Sequence, residues 1–284
     1  MTISQQPVLI KSQSRMVDGI NVHYLEAGEQ SSELTLLIHG WPTSSYLWRN
    51  VMPDLASKHW VVALDLPGFG DSDKPLDKSY DLEFWNQFIQ SFVTGLGAKK
   101  VNLVVHDLGG PIGLIWAVRH PESLNSLVLL NTLVYAELHW SAKLFILMLK
   151  MPIINRWMTK PKTVGRTLQL GMETKIKLAD RLRYADTYKD ENARKILILS
   201  VTRLKPEAAA EVGNKIRLIK APIACIYGEK DRLLPDIANT MARVKMEHPN
   251  AKVVPLAGCG HFLQEDKPAK LSKLMLEFIP VHNK

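Results

Sequence analysis

The chain has 284 residues, 46% of them apolar, with a mean hydropathy of -0.06, as expected of a soluble protein with a sizeable core. No apolar stretch is long enough to span a bilayer, Met1 to Glu26 lacks the pattern of a secretory leader, and two cysteines (Cys225 and Cys259) do not suggest a disulfide framework. A cytoplasmic, enzyme-sized protein is expected. The net charge of +8 is uneven, with 18 Lys+Arg against 8 Asp+Glu between Glu137 and Lys220. No nucleic-acid-binding motif accompanies that surplus, so it reads as a solvated helical face.

In chain order, Ile20 to Leu25 alternates apolar and polar residues and predicts a strand near a sheet edge. Leu34 to Ile38 predicts a buried strand running into His39-Gly40-Trp41-Pro42, where glycine and proline impose an unusual turn. A short helix is expected over Tyr46 to Leu55, then a strand over Trp60 to Leu66 and a tight loop over Pro67 to Ser72. Helical spacing runs from Asp81, a fair N-cap, to Leu96. The β-branched run Val101 to Val105 predicts a strand buried on both faces, followed after His106-Asp107-Leu108-Gly109-Gly110 by a helix over Pro111 to Val118 and a strand over Ser126 to Leu130.

Alternating strands and helices predict an α/β fold, a mostly parallel sheet with helices on both faces. Ligands gather at the carboxyl ends of such strands, where His39 to Pro42, Asp107 and Asn131 all fall. The alternation stops after Leu133. Helices are expected over Leu144 to Met151, Val164 to Leu178, Asn192 to Val201 and Ala208 to Ile216, and strands resume at Ile223 to Tyr227 and Lys252 to Pro255. Helices Pro235 to Glu247 and Pro268 to Phe278 follow them. The economical organisation is one core domain (1–133 and 217–284) with a helical cap (134–216). The very apolar Leu144 to Ile154 is expected to roof an apolar cavity; with Lys143, Lys150 and Arg156 nearby, contact with a membrane surface is the less favoured alternative.

A strand, a sharp turn with glycines and a helix together resemble the nucleophile elbow of the α/β-hydrolases, with an acid, Asp107, where G-x-S-x-G has serine. Serine must be deprotonated before it attacks, whereas a carboxylate with a reference pKa of about 3.9 is already ionised at neutral pH. Its attack on a saturated carbon gives an ester, so a histidine is wanted for the second half, to activate water. Asp231 follows the strand ending at Tyr227, and His261 stands between Gly260 and Phe262 after the last strand. Nucleophile, acid and histidine occur in the order of that fold, each after a strand.

The blocks HGWPTSSYLWRN, ALDLPGFGDSDKP, VVHDLGG, YGEKDRLLP and GCGHFLQEDKP resemble the haloalkane dehalogenase branch of the α/β-hydrolases, with epoxide hydrolases as close relatives. The resemblance implies that Asp107 forms an alkyl-enzyme ester, that His261, oriented by Asp231, activates water, and that the backbone N–H groups of Trp41 and Leu108 form an oxyanion hole. Some members carry the acid after the preceding strand, but here Asn131 stands there. In dehalogenases the residue after the nucleophile is normally a tryptophan that holds the departing halide, and here it is Leu108. Trp41 or Trp140 could supply an indole donor; Trp157 is expected to pack. Epoxide opening needs cap tyrosines instead, with Tyr135, Tyr184 and Tyr188 as candidates.

The expected activity is hydrolysis of a carbon–halogen bond in a small apolar substrate, with epoxide hydrolysis as the alternative and lactone or ester hydrolysis, or ligand binding without turnover, behind it. No metal-ligand pattern or dinucleotide loop is present in the sequence, so no cofactor is expected.

Overall fold

The computed structural model describes residues 8–281. Its strands are β1 (Lys11–Val17), β2 (Ile20–Ala27), β3 (Leu34–Ile38), β4 (Trp60–Leu64), β5 (Val101–Asp107), β6 (Leu124–Thr132), β7 (Ile223–Gly228) and β8 (Lys252–Leu256). They form one sheet in the order β1-β2-β4-β3-β5-β6-β7-β8. Only β2 runs against its neighbours, β1 and β4; all other pairings are parallel. The chain leaves β3 toward β4 and returns to β5 on the other side of β3. In open sheets of this kind ligands bind at such a reversal, here at the carboxyl ends of β3 and β5. Every residue of β3, and β5 as far as His106, is buried, as their apolar sequences require.

The helices are α1 (Met52–Leu55), α2 (Leu82–Gly95), α3 (Gly109–Arg119), α4 (Trp140–Lys150), α5 (Pro152–Met158), α6 (Pro161–Leu170), α7 (Leu178–Asp186), α8 (Glu191–Thr202), α9 (Pro206–Lys215), α10 (Ile237–Glu247), α11 (Leu263–Asp266) and α12 (Pro268–Phe278). The Asp81 carboxylate caps α2 by accepting from the Phe84 N–H at 2.9 Å. Leu82, Trp85, Phe88, Ile89, Phe92 and Val93 of α2 are buried, at the spacing that put a helix there in the sequence. Helices α4 to α9 all fall between β6 and β7.

Four expectations need correction. The helix expected over Tyr46 to Leu55 is a 3₁₀ turn, Ser45–Trp48, followed by the one-turn α1. The one expected over Val164 to Leu178 stops at Leu170, the end of α6, and α7 begins only at Leu178, because the chain turns out at Gly171 to pack against Phe262. β1 was not anticipated, since its mostly exposed side chains leave no apolar pattern. Leu144 to Ile154 does not simply roof a cavity. Phe145 and Leu149 turn inward, but Leu144, Leu147, Met151 and Ile153 face solvent.

Candidate active site

Asp107 closes β5 with φ of 52°, a left-handed backbone that a side chain adopts only under constraint. The constraint comes from close packing around the turn. A Cβ on Gly110 would overlap the Thr132 side chain, and one on Gly40 would overlap Asp107 itself. Thr132 Oγ1 donates to the Asp107 carbonyl at 2.6 Å, fixing the elbow to the end of β6.

The loop after β3 approaches from the opposite side. Its Trp41 N–H donates to Asp107 Oδ1 at 2.6 Å, and the Leu108 N–H also bonds the carboxylate. His39 holds this loop: its Nδ1 donates to the Gly40 carbonyl at 3.0 Å, while its Nε2 accepts from the Leu66 N–H at 3.1 Å. Burial keeps that imidazole neutral, as the tautomer requires.

His261 lies 3.3 Å from Asp107 Oδ2 through Nε2 and 2.8 Å from Asp231 Oδ2 through Nδ1. Asp231 Oδ2 also accepts from Asn131 Nδ2 at 2.6 Å, and Oδ1 accepts from the Leu233 and Leu234 N–H groups at 2.8 Å. Asn131, itself at φ of 32°, accepts from the Gly228 N–H through its other amide atom at 3.0 Å and so ties β6 to β7. The His261 backbone is pinned twice. Its N–H donates to the Gly171 carbonyl at 2.7 Å, and its carbonyl accepts from His106 Nε2 at 2.9 Å.

The three titrating groups stabilise one another's charges. Burial penalises imidazolium at His261, but the Asp231 charge and the contacts with Asp107 and Asp231 outweigh it and push the pKa up to about 10. Desolvation likewise opposes the carboxylates. For Asp107 it is overcome by His261 and the Leu108 N–H, and for Asp231 by His261, Asn131 and the Leu234 N–H, so both lie below the usual carboxylate range. Neighbouring His106 is driven the other way, to about 4, by burial and the His261 charge.

An ionised carboxylate on a strained turn, two backbone donors at its oxygens and an imidazole backed by a second carboxylate make an array suited to nucleophilic chemistry. The sequence model of the alpha/beta hydrolase fold matches residues 35–268.

The chain belongs to the alpha/beta hydrolase family.

This hydrolase is 29% identical to the haloalkane dehalogenase of Psychrobacter cryohalolentis over 92% of its own length and 88% of the relative's. It is 26% identical to epoxide hydrolase 3 of Xenopus tropicalis over 93% of its length and 76% of the relative's. Among solved structures, haloalkane dehalogenase DbeA of Bradyrhizobium elkani superposes with a TM-score of 0.85 at 23% identity, covering 95% of this chain and 98% of that one, which demonstrates the shared fold.

Asp107, Asp231, His261, Trp41 and Leu108 of the hydrolase thus come together. The expected leaving-group residues do not join them. The Trp41 indole N–H donates to the Leu197 carbonyl at 3.2 Å, and Trp140 is 68% exposed. Trp157, expected to pack, is also exposed. Tyr135 lies beneath the Arg243 guanidinium, 3.6 Å from ring centroid to Cζ. Tyr184 donates to Glu265 Oε1 at 2.6 Å inside an ion network with Arg49, and Tyr188 donates to the Pro42 carbonyl at 3.0 Å. Sequence reasoning put His39 at the clustered strand ends without giving it a role, and passed over His106, Thr132 and Gly171; all four hold the array in place. For the histidines a signal existed, since each stands at the end of a buried strand next to a glycine-bearing turn.

Proposed function

We propose that this hydrolase cleaves a small, neutral, apolar carbon electrophile through a covalent ester on Asp107, without a cofactor, beneath a cap formed by residues 134–216. The observation that carries this reading is the Asp107 carboxylate itself, one-fifth exposed, with Oδ1 on the Trp41 N–H and Oδ2 beside His261 Nε2. Asp107 attacks carbon and the leaving group takes the bonding pair. Esterification removes the Asp107 charge, and with it part of what holds the His261 proton. The imidazole gives that proton to the leaving group or to bulk water, and then takes one from a water whose oxygen attacks the ester carbonyl. The Trp41 and Leu108 N–H groups stabilise the resulting oxyanion. Its collapse expels the alkoxide, which takes the proton from His261 and leaves as an alcohol. The acid formed on Asp107 passes its proton to His261, restoring the carboxylate and the imidazolium. Asp231 orients His261 throughout and stays ionised.

A strained oxygen ring, an epoxide or a lactone opened at its saturated carbon, suits this site best. A departing halide needs N–H donors arranged in advance. Leu108 has none in its side chain, and the Trp41 indole is already bonded. The cap tyrosines expected for epoxide opening are engaged elsewhere, so in this reading the opening oxygen takes its proton from the His261 imidazolium beside Asp107, and ring strain eases the cleavage. The full-length likeness to a haloalkane dehalogenase keeps carbon–halogen cleavage as the second reading.

The test is intact mass and peptide mapping of the His261→Gln variant after exposure to epoxides, lactones and haloalkanes. A hydroxyalkyl or carboxyalkyl adduct on Asp107 is expected from the ring substrates. A plain alkyl adduct from haloalkanes alone would move the assignment to dehalogenation. No adduct on Asp107 from any of them would overturn the covalent mechanism.

A further inference from the structure

The helical insertion carries an apolar face that the active site does not use. Along α4 and into α5, Trp140, Leu144, Leu147, Met151, Ile153 and Trp157 are all exposed, Ile153 at 86% and Trp140 at 68%. The α4 positions recur every three to four residues, so they form one stripe, with Phe145 and Leu149 turned inward. Lys143 and Lys150 lie on the same stripe, and Arg156 and Lys160 are exposed on the continuation through α5. From Leu138 to Met172 the sequence has six Lys+Arg and no Asp or Glu.

We infer that α4 and α5 dock the hydrolase onto the surface of a bilayer containing anionic phospholipid. Charge complementarity selects this occupant. Large apolar side chains among basic ones, with no acid in the stretch, match a layer whose outer plane is phosphate and whose interior is hydrocarbon. Tryptophans lie near the two ends of the face, and such rings prefer the headgroup level. Lysine stems lie along apolar surface while their ammonium groups reach phosphate. A protein interface selects against lysine at its centre, which disfavours a second copy of the chain or a protein partner. No helix among the described residues is long and apolar enough to cross a membrane, so the contact is with the surface.

The face is coupled to the reaction centre by packing. On the inward side of α4 the Phe145 ring meets the Trp41 ring edge-on, 5.0 Å between centroids, and the Trp41 amide holds Asp107. A bilayer-docked α4 therefore brings the roof of the site to the phase in which apolar molecules concentrate. This inference stands whether or not the covalent mechanism proposed above is correct.

The experiment is co-sedimentation of the full chain with phosphatidylcholine vesicles, with and without phosphatidylglycerol, at low and high salt. Binding that needs phosphatidylglycerol and weakens with salt is expected. Two variants test the face separately, Leu147→Glu with Ile153→Glu and Lys143→Glu with Lys150→Glu. Each should lower partitioning at least about tenfold with unchanged thermal melting, while Lys99→Glu, which is far along the chain, leaves it unchanged. Absence of binding to phosphatidylglycerol vesicles at low salt overturns the inference, as does equal binding by wild type and both double variants. Self-association on size-exclusion chromatography that Leu147→Glu with Ile153→Glu abolishes, without vesicle binding by the wild type, would assign the face to a second copy instead.

Discussion

His261 Nε2 stands 3.3 Å from Asp107 Oδ2, and this contact makes the charge of one residue depend on that of the other. With Asp231 on its far side, the imidazole is held protonated up to about pH 10, well above its ordinary 6.5. A folded-state pKa raised in this way adds stability that is fully present below the unfolded value and is lost as pH rises through the folded one. Thermal stability should therefore decline between about pH 6.5 and about 10 as His261 deprotonates. In Asp107→Asn the His261 titration, followed by NMR of ring-labelled histidine, should move to lower pH. A wild-type His261 that titrates near its ordinary value would contradict this.

Asn131 is expected to matter to turnover through Asp231, which it helps to position. Its amide donates to the Asp231 oxygen that faces His261, at 2.6 Å. Hydrogen bonds to charged groups contribute about 1.5–3 kcal/mol. Asn131→Ala should lower kcat on the order of tenfold and raise the Asp231 pKa, moving the acid limb of the pH–rate profile upward, with KM little changed. A KM effect alone would assign Asn131 to binding.

Gly40 has no room for a methyl group. Its Cβ would fall on Asp107 Cβ and Oδ1, and neither can retreat while the Trp41 N–H and the strained elbow hold that side chain. Gly40→Ala should cost on the order of 3 kcal/mol in denaturant unfolding and abolish adduct formation. Gly19→Ala is a control for strain without collision, since nothing lies within 4 Å of its Cβ.

Arg49 joins the core to the helical insertion. Its guanidinium pairs with Glu265 Oε1 at 2.6 Å and with Asp180 of α7 at 3.3 Å, and Tyr184 shares the same glutamate. Both side chains of the Arg49–Glu265 pair are mostly buried, so removing one partner strands the other. Arg49→Met should destabilise by about 2 kcal/mol, and adding Glu265→Gln should recover part of that loss. Strict additivity in this cycle would mean that the pair is uncoupled.

Leu108→Trp places an indole next to the attacking carboxylate. If a missing donor limits carbon–halogen cleavage, halide release from haloalkanes, read by ion chromatography, should rise at least about tenfold. An unchanged rate would mean that the elbow side chain does not limit that reaction.

The elements that position the site were legible because their local signals agree with the tertiary structure. Val101 to Val105 is apolar on both faces because β3 and β6 flank it and helices cover it. The glycines after Asp107 announce a turn that permits no larger side chain. The same logic explains the failures. Lys11 to Val17 pairs along β2 at the outer edge, and its exposure leaves no pattern to read. Val164, Leu168, Met172 and Ile176 keep helical spacing across a break that the packing of Gly171 against Phe262 imposes from 91 positions away. The fates of Tyr184, Trp140 and the Trp41 indole were equally hidden. Each depends on how the insertion meets the core: Tyr184 finds Glu265, Trp140 is left in solvent and the Trp41 indole finds Leu197.

Asp107 and His261 hang from parts of the sheet with different protection. β5 is hydrogen-bonded on both sides, whereas the histidine follows β8, an edge strand, and its N–H donates to a carbonyl of the insertion. Gentle heating should therefore loosen the histidine loop while the attacking carboxylate is still in place. Under the mechanism proposed above, a molecule damaged in this order can start the reaction and not finish it. Given substrate, it would alkylate itself and stay blocked, so warming should convert the enzyme from a catalyst into a single-use scavenger before the fold as a whole gives way.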